Sequence, residues 1–190
     1  LIPIRSWTLS INGGSLGSRI TILFLLTDLK VKKAVIYILF VVYALLALNV
    51  LFFIRSSLLG LCTYREFFSE KTNFVPFRTI VEFIGYIKNH DSIYELMSLD
   101  NLCGNLVIFM PTGVFFPGMW KKQRRFRNFA LTAAVLIISV EAAQFLTMCG
   151  SCDIDDFILN FTGALVGFAL TKLEIVKRLT FTDVSIIKGE

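Results

Sequence analysis

The sequence predicts an all-α polytopic membrane protein, a helical bundle of about four transmembrane helices with an extracellular loop that contains a short amphipathic helix. Of its 190 residues, 55% are hydrophobic and 17% are charged, and the mean hydropathy is +0.71. Soluble domains are typically about 45–50% apolar and about 25% charged. The apolar residues are concentrated in runs that approach the roughly 20 residues needed to cross a bilayer. We expect one domain, because no linker or internal repeat divides the chain.

Residues 1–33 form a mixed segment before the first span. Residues 10–18 (SINGGSLGS) are rich in Gly and Ser, which is typical of a loop. Residues 20–26 are apolar but have about half the length of a span, so they are expected either in the membrane interface or in a re-entrant segment. We therefore treat residues 1–33 as a cytoplasmic or interfacial segment that precedes a transmembrane domain at 34–171.

The first span is predicted at residues 34–54, where 21 consecutive residues carry no charge. At 1.5 Å per residue, such a helix covers about 30 Å, the thickness of the hydrocarbon core. The hydrophilic loop at 55–100 follows. Within it, Pro76 disfavours helical geometry at Val75, which predicts an extended turn. The next apolar residues recur at helical spacing and predict an amphipathic helix on the membrane surface: Ile80, Phe83, Ile84 and Ile87.

Three further spans are predicted at 101–120, 129–148 and 154–171. The first of them contains Pro111, so we expect a kink in it. The last two are joined only by residues 149–152, which forces them into an antiparallel hairpin.

Basic residues between the spans predict the orientation of the chain. The loop at 121–127 has five Lys or Arg residues and no acid, so it is expected in the cytoplasm. The basic flanks at 30–33 and 172–178 then face the same side. Both termini, including the tail at 172–190, are therefore predicted to be cytoplasmic, and the connection at 149–152 faces outward.

Polar residues on three of the predicted spans are the candidate site. Ionisable groups at the centre of a bilayer cost at least a few kcal/mol each, so they indicate a functional site by default. Helical spacing puts them on one face of each span, and the simplest packing turns these faces toward one outward-opening pocket. Arg78 in the outer loop is added as a phosphate contact. The candidate binding residues are Arg78, Asn101, Asn105, Glu141, Gln144, Asp153, Asp155, Asp156 and Asn160.

Structural interpretations remain open for several of these residues. In the structural interpretation, Asp153 serves as a helix N-cap and has no other role, and Glu141 serves only to lock the packing of the helices. Gly163 and Gly167 form a GxxxG pair, which favours close helix packing. Cys149 and Cys152 form a CxxC that is compatible with either a disulfide or two free thiols.

We expect no metal site and no cofactor. The chain has one histidine, His90, without a thiol partner nearby, which makes a zinc site improbable. Carboxylates can hold Mg²⁺ or Ca²⁺, but nothing in the sequence fixes such a site. The sequence contains no P-loop, no nucleotide fingerprint and no Ser-His-Asp arrangement, and we expect no nucleic-acid partner.

Four blocks of the sequence, taken in order, resemble the VanZ-like family. They are NFVPF at 73–77, GNLVIFMPTG at 104–113, SVEAAQ at 139–144 and DIDDFILNFTG at 153–163. The family often has a basic residue before the DIDD block, whereas this chain has Cys149-Gly150-Ser151-Cys152. A substrate contact made by that base is therefore either absent here or supplied elsewhere, for example by Arg78. The resemblance implies a small membrane protein of the bacterial cell membrane that is linked to resistance to glycopeptides, notably teicoplanin-type lipoglycopeptides. It does not supply a mechanism.

Two functions from different classes follow as hypotheses. In the first, the outward-facing acidic pocket binds an envelope lipid, a cell-wall precursor or the antibiotic. In the alternative, the protein is an enzyme that modifies an envelope lipid or glycan by carboxylate acid–base chemistry. A small transporter is a weaker third hypothesis. Membrane lipids are expected partners in all three, and the sequence leaves the oligomeric state open.

Overall fold

The computed structural model describes residues 15–54, 64–70, 72–89 and 92–181. The predicted all-α class is confirmed, since helices dominate this part of the chain. The elements in order are α1 (Ser15–Leu48), a π-helical turn (Asn49–Ile54), α2 (Tyr64–Glu70), β1 (Thr72–Asn73), α3 (Arg78–Lys88), α4 (Ser92–Ile108), α5 (Met110–Met119), a 3₁₀ turn (Lys121–Arg124), α6 (Phe126–Leu146), β2 (Cys152–Asp153), α7 (Ile154–Leu170) and α8 (Glu174–Thr180). His90 lies outside the described residues.

Three helices in the described residues are long and apolar enough to cross a membrane: Leu29–Phe53, Ser98–Met119 and Phe126–Leu146. Helix α7 becomes a fourth candidate if it is counted together with α8, to which it is bent by 95°. Large apolar side chains such as Ile38 and Leu45, each 63% exposed, point away from the protein. Exposed apolar surface of this extent is expected of a protein that lies in a bilayer. The prediction of a polytopic membrane protein is therefore confirmed.

Helix α1 differs from the prediction at its beginning. It begins at Ser15, so residues 15–18 of the predicted loop at 10–18 are helical, and residues 19–33 continue the same helix into the span that begins at Leu29. Extending a helix that has already nucleated adds one hydrogen bond per residue fixed, and Gly17, the one glycine in residues 15–33, lowers helix stability by only about 1 kcal/mol. Residues 1–14 of the predicted N-terminal segment lie outside the described residues.

The second span is interrupted at Phe109, where α4 ends and α5 begins. Proline has no N–H to donate, so Pro111 breaks the helical hydrogen-bond pattern as predicted. The N–H of Thr112 donates to the Phe109 carbonyl at 3.1 Å. The hydroxyl of Tyr43 on α1 donates to the Ile108 carbonyl at 2.7 Å. A side chain from the first span thus provides a partner for a carbonyl at the break.

Helix α7 packs against α5, α4 and α6 and lies at the centre of the bundle. Its glycines permit this packing, because a Cβ at Gly163 would lie 1.8 Å from the Leu106 carbonyl oxygen. A Cβ at Gly167 would lie 1.9 Å from the carbonyl oxygen of Met110. Both distances are far below van der Waals contact. The GxxxG pair is therefore a packing motif, as its spacing indicates.

The segment between the first two spans is more structured than the sequence indicates. Strand β1 pairs in parallel with β2, with Thr72 opposite Cys152 and Asn73 opposite Asp153. The amphipathic helix predicted near 80–87 is present as α3, which packs against α4. Helix α4 itself begins at Ser92, nine residues before the predicted span at 101. We call residues 72–89 the outer segment, after the side of the membrane predicted for them; this segment is held against the ends of α4 and α7.

Candidate functional site

Asp153 caps α7 and also holds the outer segment. Its backbone is extended and its Oδ1 accepts a hydrogen bond from the Asp155 N–H at 2.9 Å, which confirms the N-cap interpretation. The same carboxylate accepts from Asn73 Nδ2 at 3.1 Å and from the Thr79 hydroxyl at 2.5 Å. Asp153 therefore joins the beginning of α7 to β1 and α3.

Asp155 is fully buried and receives three backbone N–H groups from the beginning of α3. Phe77 donates to Oδ1 at 2.5 Å, while Thr79 and Ile80 donate to Oδ2 at 2.8 and 3.1 Å. The first N–H groups of a helix have no partner within it, and the helix dipole favours an anion there. Asp155 thus acts as a capping group for a helix about 75 residues earlier in the chain. The neighbouring Arg78 side chain is exposed.

Asp156 connects α7 with α4. Asn105, which is fully buried, donates one hydrogen bond to Asp156 and another to Asn101 Oδ1, the latter at 3.2 Å. The hydroxyl of Ser151 donates to the second oxygen of Asp156 at 3.2 Å. The polar faces of α4 and α7 therefore meet, as the helical spacing predicts.

Glu141 and Asn160 connect α6 with α7. Asn160 Nδ2 donates to Glu141 Oε1 at 2.7 Å, and this pair lies one helical turn beyond Asp156. The side-chain oxygen of Asn160 is buried and has no hydrogen-bond partner within the described part of the chain. On the same face of α6, Gln144 donates to the Leu51 carbonyl of the π-helical turn at 3.0 Å. The polar faces of α4, α6 and α7 therefore converge, and their side chains are joined by direct hydrogen bonds.

The cavity beside these contacts is a groove of about 290 Å³ between α6, α7 and the residue after β1. Only Glu141 and Asp153 of the nine candidate residues line it. Most of the wall is apolar, and Ile138 is 56% exposed on one side of it. We call this cavity the Glu141 groove, and its lining residues are Phe74, Ile138, Glu141, Ala142, Cys152, Asp153, Ile154 and Phe157.

The apolar lining was missed because Phe, Ile and Ala in a membrane protein carry no chemical signal. Phe74 belongs to the NFVPF block, so its position in that motif was the one available indication. The remaining candidate residues do not line the groove, although Asn160 contacts it through Glu141: Arg78, Asn101, Asn105, Gln144, Asp155, Asp156 and Asn160.

Cys152 is the thiol of the groove. Cys149 and Cys152 are both free thiols in the structure. Burial raises the pKa of Cys152, and the nearby carboxylates of Glu141 and Asp153 raise this pKa further. At neutral pH the thiol is therefore protonated to a greater extent than an ordinary cysteine, which lowers its reactivity. Among the described residues, no group of three or more His, Cys, Asp or Glu side chains is arranged to hold a metal ion.

Comparison with known proteins gives one match. A family model described as VanZ/LLP1 matches residues 40–177, a range that extends from the last third of α1 into α8. The range includes all nine candidate residues and every residue that lines the Glu141 groove. No curated protein and no solved structure matches the chain.

Proposed function

The chain belongs to the VanZ/LLP1 family, and from this premise we propose that it confers resistance to teicoplanin-type lipoglycopeptides by binding a lipid-tailed ligand in the Glu141 groove. In this proposal the groove lies in the outer leaflet of a bacterial cell membrane, and both termini are cytoplasmic. The observation that carries the proposal is an apolar groove with carboxylates at its edge. Such a site suits a molecule that has an alkyl chain next to a hydrogen-bond donor.

The walls of the groove support the alkyl part of the ligand. Ile138, Ala142 and Phe157 provide apolar surface from two helices, and Phe74 adds an aromatic ring from the outer segment. Burial of each methylene group contributes about 0.8 kcal/mol. The groove's volume of about 290 Å³ is close to the lower end of the range of roughly 300–1,000 Å³ that is typical of small-molecule sites. The groove therefore accommodates part of an acyl chain.

The groove opens on the surface of α6, a candidate membrane span. Ile138 is 56% exposed and Ala142 is also exposed on this surface, while both contribute to the wall. A ligand can therefore enter from the bilayer without leaving it. This route favours ligands that are already dissolved in the membrane or inserted into it.

The polar part of the ligand is assigned to Glu141. A carboxylate accepts strong hydrogen bonds from a hydroxyl or an ammonium group. The buried oxygen of Asn160 next to it is a further acceptor without a partner in the described residues, and an unsatisfied buried acceptor costs about 1–3 kcal/mol. A donor group on the ligand would interact with Glu141 and relieve this cost where it reaches Asn160.

Three kinds of molecule have this chemistry: an envelope lipid, a lipid-linked cell-wall precursor and the acylated antibiotic. Cys152 provides a direct test, because it lines the groove together with Glu141. In a variant that keeps Cys152 as its one cysteine, we expect teicoplanin to slow alkylation by N-ethylmaleimide at least several-fold. The reaction is measured at alkaline pH, since the raised pKa of Cys152 leaves little thiolate at pH 7.

The matched control keeps Cys103, which is exposed on α4 and does not line the groove. Its alkylation rate should not change when the antibiotic is added. A glycopeptide without an acyl chain should leave Cys152 unprotected, whereas extracted envelope lipid should protect it if lipid is the natural occupant. Equal Cys152 rates with and without saturating amounts of all these molecules would contradict the proposal.

A membrane-embedded enzyme is the second candidate function. The observation in its favour is that the carboxylates of Glu141 and Asp153 line one mostly apolar groove. Paired carboxylates in different surroundings are the usual components of general acid–base catalysis. Incubation of the purified protein with labelled envelope lipids distinguishes the two functions, because an enzyme yields a new lipid species and a binding protein does not.

A further inference from the structure

One end of the bundle carries most of its positive charge. The antiparallel connections place the beginning of the first span, near Leu29, at the same end of the bundle as α8. There, Lys32 Nζ donates a hydrogen bond to the Arg178 carbonyl at 2.5 Å. Arg124 reaches the Pro117 carbonyl at 3.1 Å and lies 3.9 Å from the centre of the Phe181 ring. The basic residues at this end are Lys30, Lys32, Lys33, Lys121, Lys122, Arg124, Arg125, Arg127, Lys172, Lys177 and Arg178.

Negative charge is scarce at this end. Among the described residues 29–37, 120–130 and 171–181, which form this end, Glu174 is the one acid. Its carboxylate already pairs with Lys177 at 2.6 Å, and this contact lowers the pKa of Glu174. The other basic groups therefore create a positive potential that an external anion can reduce.

An open cavity of about 490 Å³ lies within this charged region. It is lined by Lys30, Lys33, Ala34 and Tyr37, which follow one another along one side of α1. Lys33 Nζ lies 5.9 Å from the centre of the Tyr37 ring, and Trp120 packs edge-on against the same ring at 6.5 Å. The cavity thus combines two exposed ammonium groups with a phenol, and an indole packs against that phenol from outside the lining. Tyr and Trp are enriched at the headgroup level of membranes.

We propose that this cavity binds the phosphate headgroup of an anionic phospholipid. Two ammonium groups and a phenolic hydroxyl are suitable partners for phosphate oxygens. Below the cavity, α1 continues with exposed apolar side chains, including Ile38 and Leu45, against which acyl chains can lie. The site is at the opposite end of the bundle from the Glu141 groove, so the proposal is independent of the proposed function.

The test uses the full-length protein in detergent and native mass spectrometry with added phosphatidylglycerol or phosphatidylcholine. We expect the wild type to bind phosphatidylglycerol at least tenfold more tightly than phosphatidylcholine. The double substitution Lys30→Gln and Lys33→Gln should weaken phosphatidylglycerol binding at least tenfold, since each basic residue near an anionic surface contributes substantially to binding. Lys30→Arg with Lys33→Arg should retain it.

The matched control is Lys122→Gln with Arg125→Gln, which removes the same charge from exposed positions at the same end. This variant should keep wild-type binding. An equal loss in both glutamine variants would indicate a general effect of charge and would contradict a specific site at Lys30 and Lys33. Wild-type binding by the variant with Lys30→Gln and Lys33→Gln would also contradict this site. Inorganic phosphate should not displace the lipid at equal concentration. Complete displacement would show a site for free phosphate and overturn the lipid assignment.

Discussion

Replacing Gly163 with alanine is expected to lower the free energy of unfolding by about 3 kcal/mol, at the upper end of the usual cost of overpacking. The new Cβ would lie 1.8 Å from the Leu106 carbonyl oxygen and 2.8 Å from its carbonyl carbon. The group in the way is the backbone carbonyl of Leu106, which cannot rotate away as a side chain can. Helix α7 must therefore move away from α4, and this movement also strains the hydrogen bond between Asn105 and Asp156. Thermal unfolding of the purified protein in detergent measures the change.

Gly85 provides the control for this experiment. It also lies within a helix, but a Cβ added there would have no neighbour within 4 Å. Gly85→Ala should be neutral or stabilising by up to about 1 kcal/mol, because alanine favours helix more than glycine does. Equal unfolding midpoints for the two alanine variants would show that α7 does not pack closely on α4.

The substitution Asp155→Asn is expected to release the beginning of α3 while the transmembrane bundle stays folded. An asparagine has nearly the same shape, but one carboxylate oxygen becomes an amide NH₂ group, which cannot accept a hydrogen bond. With its oxygen toward Thr79 and Ile80, the asparagine loses the bond from Phe77, and the other two bonds lose their negative acceptor. Hydrogen bonds to a charged group contribute about 1.5–3 kcal/mol each. One lost bond and two weakened bonds together correspond to about 3 kcal/mol, or roughly a hundredfold in an opening equilibrium.

Hydrogen–deuterium exchange of the α3 amides detects this release. Exchange at Thr79 and Ile80 should accelerate about a hundredfold in the Asp155→Asn protein. Asp100→Asn is the matched control, because Asp100 is exposed on α4 and its variant should exchange like the wild type. If Asp155→Asn left the exchange of α3 unchanged, the carboxylate would not be the group that holds this helix.

The sequence predicted the spans and the polar faces because both depend on local periodicity. A run of 21 uncharged residues identifies a membrane helix without knowledge of its neighbours. The short connection between α6 and α7 forces a hairpin, so Glu141 and Asn160 had to be close. The glycine spacing on α7 similarly indicated close packing, although it did not identify α4 and α5 as the partners.

The connections between distant segments could not be predicted in this way. The capping of α3 by Asp155 depends on the path of the outer segment, and so does the pairing of β1 with β2. The contact between Gln144 and the Leu51 carbonyl depends on a π-helical turn that has no clear sequence signal. Because of these contacts, most of the candidate acids and amides are bonded to one another or to backbone groups and do not line the Glu141 groove.

The central claim is that Glu141 receives the polar group of the ligand, and Glu141→Gln tests it most directly. Glutamine retains an oxygen for the hydrogen bond from Asn160 and has a similar volume, so the protein should fold and reach the membrane at normal levels. The negative charge is removed, and charge-assisted hydrogen bonds are roughly twice as strong as neutral ones. The inhibitory concentration of teicoplanin is measured for cells that express each variant.

We predict that cells with Glu141→Gln become as susceptible to teicoplanin as cells without the protein. The exposed Glu82 of α3 supplies the control, because Glu82→Gln removes the same charge away from the groove and should preserve resistance. Full resistance with Glu141→Gln, at equal amounts of protein in the membrane, would contradict the account.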